Sequence, residues 1–289
     1  MNPLDADPAA LAPPRPQTVQ AELEFACDAN GATYVHRQRV GYPFHVGRGL
    51  KMPGDPPGMP TLYLQSCSGG LFEADDLRLR ITAGEGASAH VATAASTVVH
   101  SMQTRAAGQQ AELYAHSGSL LEYLPDPVIL FPAAKLKNSL RVRVQPGATV
   151  IFGDSVLSHD PKGGNDHFDW LQSDTLIEDE AGKLLARDRF RIDGLQLARG
   201  LAGISGNWKA QGSLFVVTSV KTPAELVAAM RAAPHPPGVY AGVTILPNQS
   251  GAWTRILATD AAALRSALFS AWAAIRETLT GAAVMPRRK

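Results

Sequence analysis

Apolar and polar residues alternate along most of this chain in short runs, which is the period-two pattern of half-buried β-strands. Glycine, proline or asparagine bounds most runs, and the runs recur at intervals of roughly ten residues. This spacing predicts an all-β sandwich, barrel or solenoid. The predicted strands are Ala21–Ala26, Thr33–Gln38, Thr61–Gln65, Leu77–Thr82, Ala89–Ala94, Ala111–Tyr114, Ser119–Leu124, Ser139–Val144, Thr149–Leu157, Asp169–Glu178 and Leu184–Ile192.

The pattern changes in the C-terminal third of the chain. Ser213–Val220 reads as a buried strand, and Thr222 and Glu225 then form the capping box that opens a helix. Apolar runs on both sides of Asn248–Gly251 predict a hairpin, and a long amphipathic helix ends at Gly281. The predicted apolar face of that last helix contains Leu264, Leu268, Trp272 and Ile275. We therefore predict a mainly β fold, a solenoid-like stack of short strands with an α+β helical layer near the C-terminus.

The same pattern divides the chain into three parts. Residues 1–18 are rich in proline, which disfavours both helix and sheet, and are predicted to be a flexible N-terminal tail. Residues 19–205 form the strand-rich body. Residues 206–289 form the α+β part, which is expected to pack on the same body and cover one of its ends.

Composition narrows the classes of molecule that this protein could bind. Charged residues make up 18% of the chain and the net charge is +1, which argues against nucleic acid or an anionic membrane as a partner. No window has the ~18–20 apolar residues that a membrane-spanning helix needs. The N-terminus lacks the features of a signal peptide. A pair of cysteines, Cys27 and Cys67, fits a reducing cytoplasm better than a disulfide-bonded protein. We expect a cytoplasmic protein.

Acidic side chains are the main candidates for chemistry. Glu73, Asp75 and Asp76 follow the paired glycines Gly69 and Gly70 and precede a strand. Carboxylate oxygens suit divalent cations or a basic partner, although the same run is also typical of an ordinary acidic turn. The chain has no nucleophile elbow, phosphate loop or tight metal-ligand motif.

Four further polar residues lie in or beside predicted strands. Ser96 lies at a strand end, where a hydroxyl either lines a hydrated passage or caps a turn. Glu122 lies in an apolar run and is either buried with a partner or alternates outward. Asp154 ends an apolar strand, and Asp188 lies between two arginines, so that pairing with arginine is its expected state.

A different hypothesis rests on the loop that contains His159, Asp160, Asp166 and His167. Imidazole and carboxylate groups bind transition metals, so this loop could serve a metal-dependent hydrolase or oxygenase on a β scaffold. The prolines and glycines of the loop indicate mobility, and its spacing matches no known ligand motif. A β-rich adaptor without any ion role is a third possibility.

Taken in order, the motifs of this chain resemble those of the UreD (UreH) family of urease accessory proteins, from about Val19 to Pro286. No single motif carries the resemblance; their order and spacing do. The matching segments are Gly69–Gly70 with Asp75, Ala95–Ser96, Leu121–Pro125, Phe131–Ala134, Asp154, Leu184–Arg189, Tyr240–Gly242 and Leu279–Gly281.

The resemblance implies a non-catalytic urease maturation chaperone that serves as a scaffold for nickel insertion into the urease apoprotein. It implies binding to UreF, which recruits the GTPase UreG, and a hydrated tunnel for Ni²⁺. The family's tunnel positions match Asp75, Ser96, Asp154 and Asp188, the last being a glutamate in many members; Glu122 is a weaker candidate. No tightly bound cofactor is expected, because transit needs weak contact at several sites whereas a tight cage would trap the ion.

Overall fold

The computed structural model of the protein describes residues 19–203 and 205–285, so the predicted tail lies outside the described residues. The strands are β1 Ala21–Cys27, β2 Thr33–Val40, β3 Phe44–Val46, β4 Thr61–Ser66, β5 Asp76–Ala83, β6 Ser88–Thr93, β7 Thr97–Val99, β8 Ala107–Ala115, β9 Leu120–Leu124, β10 Val128–Leu130, β11 Lys135–Val144, β12 Thr149–Ser158, β13 Trp170–Asp179, β14 Leu184–Asp193, β15 Ala210–Thr218, β16 Val239–Ile245 and β17 Gly251–Ala258. The helices are α1 Gly194–Ala198, α2 Pro223–Ala232 and α3 Ala261–Thr280.

The strands form two facing sheets. The first has the order β14-β13-β11-β8-β5-β1-β2, and the main path of the second has the order β16-β17-β15-β12-β9-β6-β4-β3. From β4 to β13 the chain crosses repeatedly between the sheets, and β5, β8, β11 and β13 pair in parallel, as do β4, β6, β9 and β12. Each turn of the chain thus adds a strand to both sheets, which confirms the predicted solenoid-like stack.

The main core lies between the two sheets. Residues alternate in and out along each strand, and the inward ones form two apolar clusters. The larger cluster includes Phe25, Leu113 and Phe152, and the smaller includes Leu71 and Phe168. The two cysteines are free thiols.

The C-terminal part extends the second sheet. Strand β15 pairs antiparallel with β12 and β17 pairs antiparallel with β15, and α2 and α3 pack on the outer face of these strands. The capping box of Thr222 and Glu225 is present, and α3 ends at Gly281, whose φ of 70° explains the glycine. In the described residues, no helix has the length and apolar character that crossing a membrane requires.

Candidate functional site

A polar row crosses the inner face of the second sheet. Asp154 on β12, Ser213 on β15 and Arg255 on β17 are register neighbours on adjacent strands. Positions two residues away, Phe152 and Phe215, belong to the core between the sheets, so the polar row points into the same space.

The facing sheet carries a matching polar row. Gln109 on β8, Asn138 on β11 and Ser173 on β13 are aligned in register, and in the next row Thr175 is opposite Asp188 on β14. These residues separate the two apolar clusters of the core. The interior of the molecule is therefore polar across its middle.

A charged group bridges the two rows. The guanidinium of Arg255 donates a short hydrogen bond to the carboxylate of Asp188, so the ion pair joins the second sheet to the first. Asp154 is half-buried, and loss of solvation raises its pKa to about 6 even though Arg255 and Ser213 favour the charged form. Asp188 contributes to the rise through charge repulsion.

Several buried side-chain nitrogen and oxygen atoms in this interior have no hydrogen-bond partner within the described protein. Within residues 19–203 and 205–285, the buried atoms Gln109 Oε1, Trp253 Nε1 and Arg255 Nε have no hydrogen-bond partner. Each such group left dry costs about 1–3 kcal/mol, and buried water commonly satisfies groups of this kind. We conclude that the space between the polar rows is suited to water.

The sheet opens beside Asp154. Pairing of β9 with β12 stops at Tyr123–Phe152, and pairing of β10 with β12 begins only at Val128–Val156. A cavity of about 180 Å³ between α3 and the loop at this gap, and an inner cavity of about 20 Å³, are both lined by Asp154. The carboxylate thus lies between the outside and the polar interior.

The other two predicted path residues lie elsewhere. Ser96 is exposed and lines a cavity of about 450 Å³ that reaches inward to Gln109 and Tyr123. Asp75 lines a depression of about 430 Å³ with the outward-facing Gln110, and its carboxylate accepts the amide of Phe72 at 2.8 Å. The structure therefore brings Asp154 and Asp188 together through Arg255, places Ser96 beside a separate cavity, and places Asp75 at an outer depression.

Glu122 belongs to a separate buried network on the outer face of the second sheet. Its Oε1 accepts from Trp272 Nε1 at 3.1 Å and Arg276 Nε at 2.7 Å, and its Oε2 is 2.6 Å from His90 Nδ1. Arg276, fully buried on α3, also donates to Asp55 at 2.7 Å. Burial alone would raise the pKa of Glu122, but hydrogen bonds with His90 and Arg276 hold it well below its usual range. These contacts give the carboxylate a clear role in joining α3 to the sheet.

The histidine loop does not gather into a metal centre. No group of three or more His, Cys, Asp or Glu side chains suited to a metal is found in the described parts of the chain. The Asp160 carboxylate instead accepts the amides of Lys162 and Asp166, at 2.9 and 3.2 Å. These contacts organise the loop itself, and they give the metalloenzyme hypothesis no support.

Glu73 also has a local role. Its carboxylate accepts the amides of Gln103, Thr104 and Arg105 at 2.8–2.9 Å, and the Thr104 hydroxyl at 2.6 Å. The hydroxyl and the amides lower the pKa of Glu73 to about 2. The acidic turn that the sequence offered as a cation contact is thus, at this residue, a clamp on the neighbouring loop.

We expect Glu73→Gln to loosen that loop at pH 7, because the amide side chain can accept fewer of these hydrogen bonds. Hydrogen exchange at Gln103, Thr104 and Arg105 should accelerate, whereas the exposed control Glu85→Gln should leave it unchanged. The carboxylate contribution is present above the ordinary pKa of 4.5 and is lost as the pH falls towards about 2. Unchanged exchange in Glu73→Gln would contradict the clamp.

The fold and interior define the class of this protein: a β solenoid with a polar middle layer, flanked by a helical layer on its second sheet. The sequence model described as "UreD urease accessory protein" matches residues 17–289, and the chain belongs to this family of urease accessory proteins. Its role is accordingly in urease maturation.

Three relatives align in sequence with this chain over nearly their whole length. The chain is 44% identical over 270 residues to urease accessory protein UreD 1 of Pseudomonas syringae pv. syringae, covering 93% of this chain and 95% of the relative. The protein of the same name from Pseudomonas syringae pv. tomato is 45% identical with the same coverage. That of Methylorubrum extorquens is 40% identical over 281 residues, covering 97% and 95%.

Proposed function

We propose that this protein is a non-catalytic, cytoplasmic urease maturation chaperone that acts with UreF and UreG to deliver nickel into the urease apoprotein. The observation that carries the proposal is the row of Asp154, Ser213 and Arg255 facing polar residues of the other sheet, with Asp188 next to it. Family membership indicates that the protein acts on urease. The polar interior would stabilise a cation inside the fold.

The side chains of this interior suit the passage of a cation rather than its tight binding. Asp154 has a pKa of about 6, so at neutral pH it is mostly ionised and its negative charge can attract a cation. Carboxylate, hydroxyl and amide oxygens, with water between them, offer Ni²⁺ several weak contacts in succession. Ser96 and Asp75, which line the other two cavities, are proposed to contact the ion outside this central segment.

The test is urease activation with Asp154→Asn or Asp188→Asn in this chain. Removing one carboxylate charge about 4 Å from a divalent ion forfeits roughly 8 kcal/mol of attraction at an effective dielectric of 20. Even a fraction of that loss predicts an at least about tenfold slower transfer. The measurements are the nickel content of urease and its activity after maturation with UreF and UreG.

Glu112→Gln is the matched control. Glu112 lies on β8 of the first sheet but points to the outer face, where it pairs with Arg80. It should leave nickel delivery unchanged. Full urease activation by both interior variants would rule out the proposed path, and equal loss in the control would assign the effect to general damage of the sheet.

A further inference from the structure

Arg255 occupies an unusual position for a basic residue in a proposed cation path. It lies on β17 with its side chain in the interior, and only 27% of that side chain is exposed. Its ion pair with Asp188 spans the two sheets near their β14 and β16 edges. A permanently charged group therefore sits beside the carboxylates that would attract an incoming cation.

Two aromatic rings hold this charge in place. The guanidinium carbon lies 4.8 Å from the ring centre of Phe190 and 4.9 Å from that of Trp253. Phe190 is two residues from Asp188 and Trp253 two residues from Arg255, so each strand supplies a ring and a charge on the same face. Cation–π attraction on both sides and the ion pair fix the guanidinium.

The fixed charge changes what Asp154 and Asp188 can bind. Two ionised carboxylates without a counter-charge match a divalent cation, which is how proteins retain such ions. With Arg255 present, one of their two charges is already neutralised and the Asp188 carboxylate is already engaged. A passing cation then meets a site that attracts it but does not complete its coordination.

We propose that Arg255 is the residue that prevents the Asp154–Asp188 pair from retaining a divalent cation, so that the ion is released onward. The inference rests on the proposed cation path and adds to it a residue that sets how long the ion stays. Arg255 acts here through charge and position and is not itself a ligand.

The experiment measures Ni²⁺ binding to the purified full-length chain by titration calorimetry, together with the metal retained after gel filtration. Arg255→Gln removes the charge but keeps a hydrogen-bonding group for Asp188, and Arg255→Met removes both. We expect both variants to bind one Ni²⁺ about tenfold or more tightly than the unaltered chain. Adding Asp188→Asn to Arg255→Gln should abolish the gain, and Arg255→Lys should keep the unaltered affinity.

A purely structural role for Arg255 predicts a different result. Loss of an inter-sheet ion pair would lower the unfolding temperature of the variants without raising nickel affinity, and that result would overturn the inference. If Arg255→Met does not fold, Arg255→Gln and its double variant still decide the question. The outcome is separable from the nickel-delivery proposal, because binding is measured on the isolated chain whereas delivery is measured on urease.

Discussion

We expect Arg276→Met to lower the free energy of unfolding by about 3–5 kcal/mol, because it leaves a buried carboxylate without its main counter-charge. Glu122 and Arg276 are both fully buried, and Arg276 also donates to Asp55, whose side chain is 3% exposed. A single guanidinium thus joins helix α3, strand β9 and the loop before β4. Chemical denaturation followed by circular dichroism gives the measurement.

Two further variants test the cause of that loss. Arg189→Met removes an arginine that is 56% exposed in an ion pair with Asp174, and should cost no more than about 1 kcal/mol. Glu122→Gln combined with Arg276→Met removes both main charges, and should therefore be less destabilising than the two single effects added together. Similar losses for Arg276→Met and Arg189→Met would contradict the buried network.

The strands were largely predictable from sequence, because alternation reports which residues face the core whatever the strand pairs with. The runs at Thr149–Leu157 and Leu184–Ile192 appear as β12 and β14, and the capping box and Gly281 mark the ends of α2 and α3. The three-residue strands β3, β7 and β10 were not predicted, since such short runs carry too little periodicity.

The pairing between strands that are distant in sequence was harder to predict from the sequence. Alternation alone does not say that β5, β8, β11 and β13 share a sheet while β6, β9 and β12 share the other. The buried network illustrates the same limit, since Glu122 and Arg276 are 154 positions apart. One signal was available: Arg276 lies four residues after Trp272 on the apolar face of α3, and Glu122 lies in an apolar run. Two opposite charges at otherwise apolar positions are candidates for a buried pair.

Asp154 and Asp188 were noted from the strand pattern as acids in or beside strands, but their assignment to an ion path came from the resemblance. The expectation that Asp188 pairs with a neighbouring arginine was only partly right. Its partner is Arg255 on the other sheet, while Arg187 and Arg189 point outward to Asp174. Adjacent residues of a strand face opposite sides, so sequence neighbours of an inward acid are poor candidates for its partner.

The second large effect concerns Asp154, which we expect to reduce the stability of the fold at neutral pH. Its pKa rises from 3.8 to about 6 on folding, so the protein favours the protonated form. Its favourable contribution is therefore fully present below the unfolded pKa and is lost as the pH rises through about 6. At pH 8, Asp154→Asn should consequently be more stable than the unaltered chain by about 2–3 kcal/mol, and at pH 4 the two should be nearly equal.

Denaturation of both proteins at pH 4 and pH 8 gives this difference, with Asp174→Asn as the control that should show no gain at either pH. A stability difference for Asp154→Asn that does not change between the two pH values would refute the argument. A residue that costs stability where it is ionised, and yet lies at the opening into the polar interior, is one that packing alone does not explain. The same Asp154→Asn protein is expected to be more stable and less able to deliver nickel, and this opposition ties the carboxylate to function.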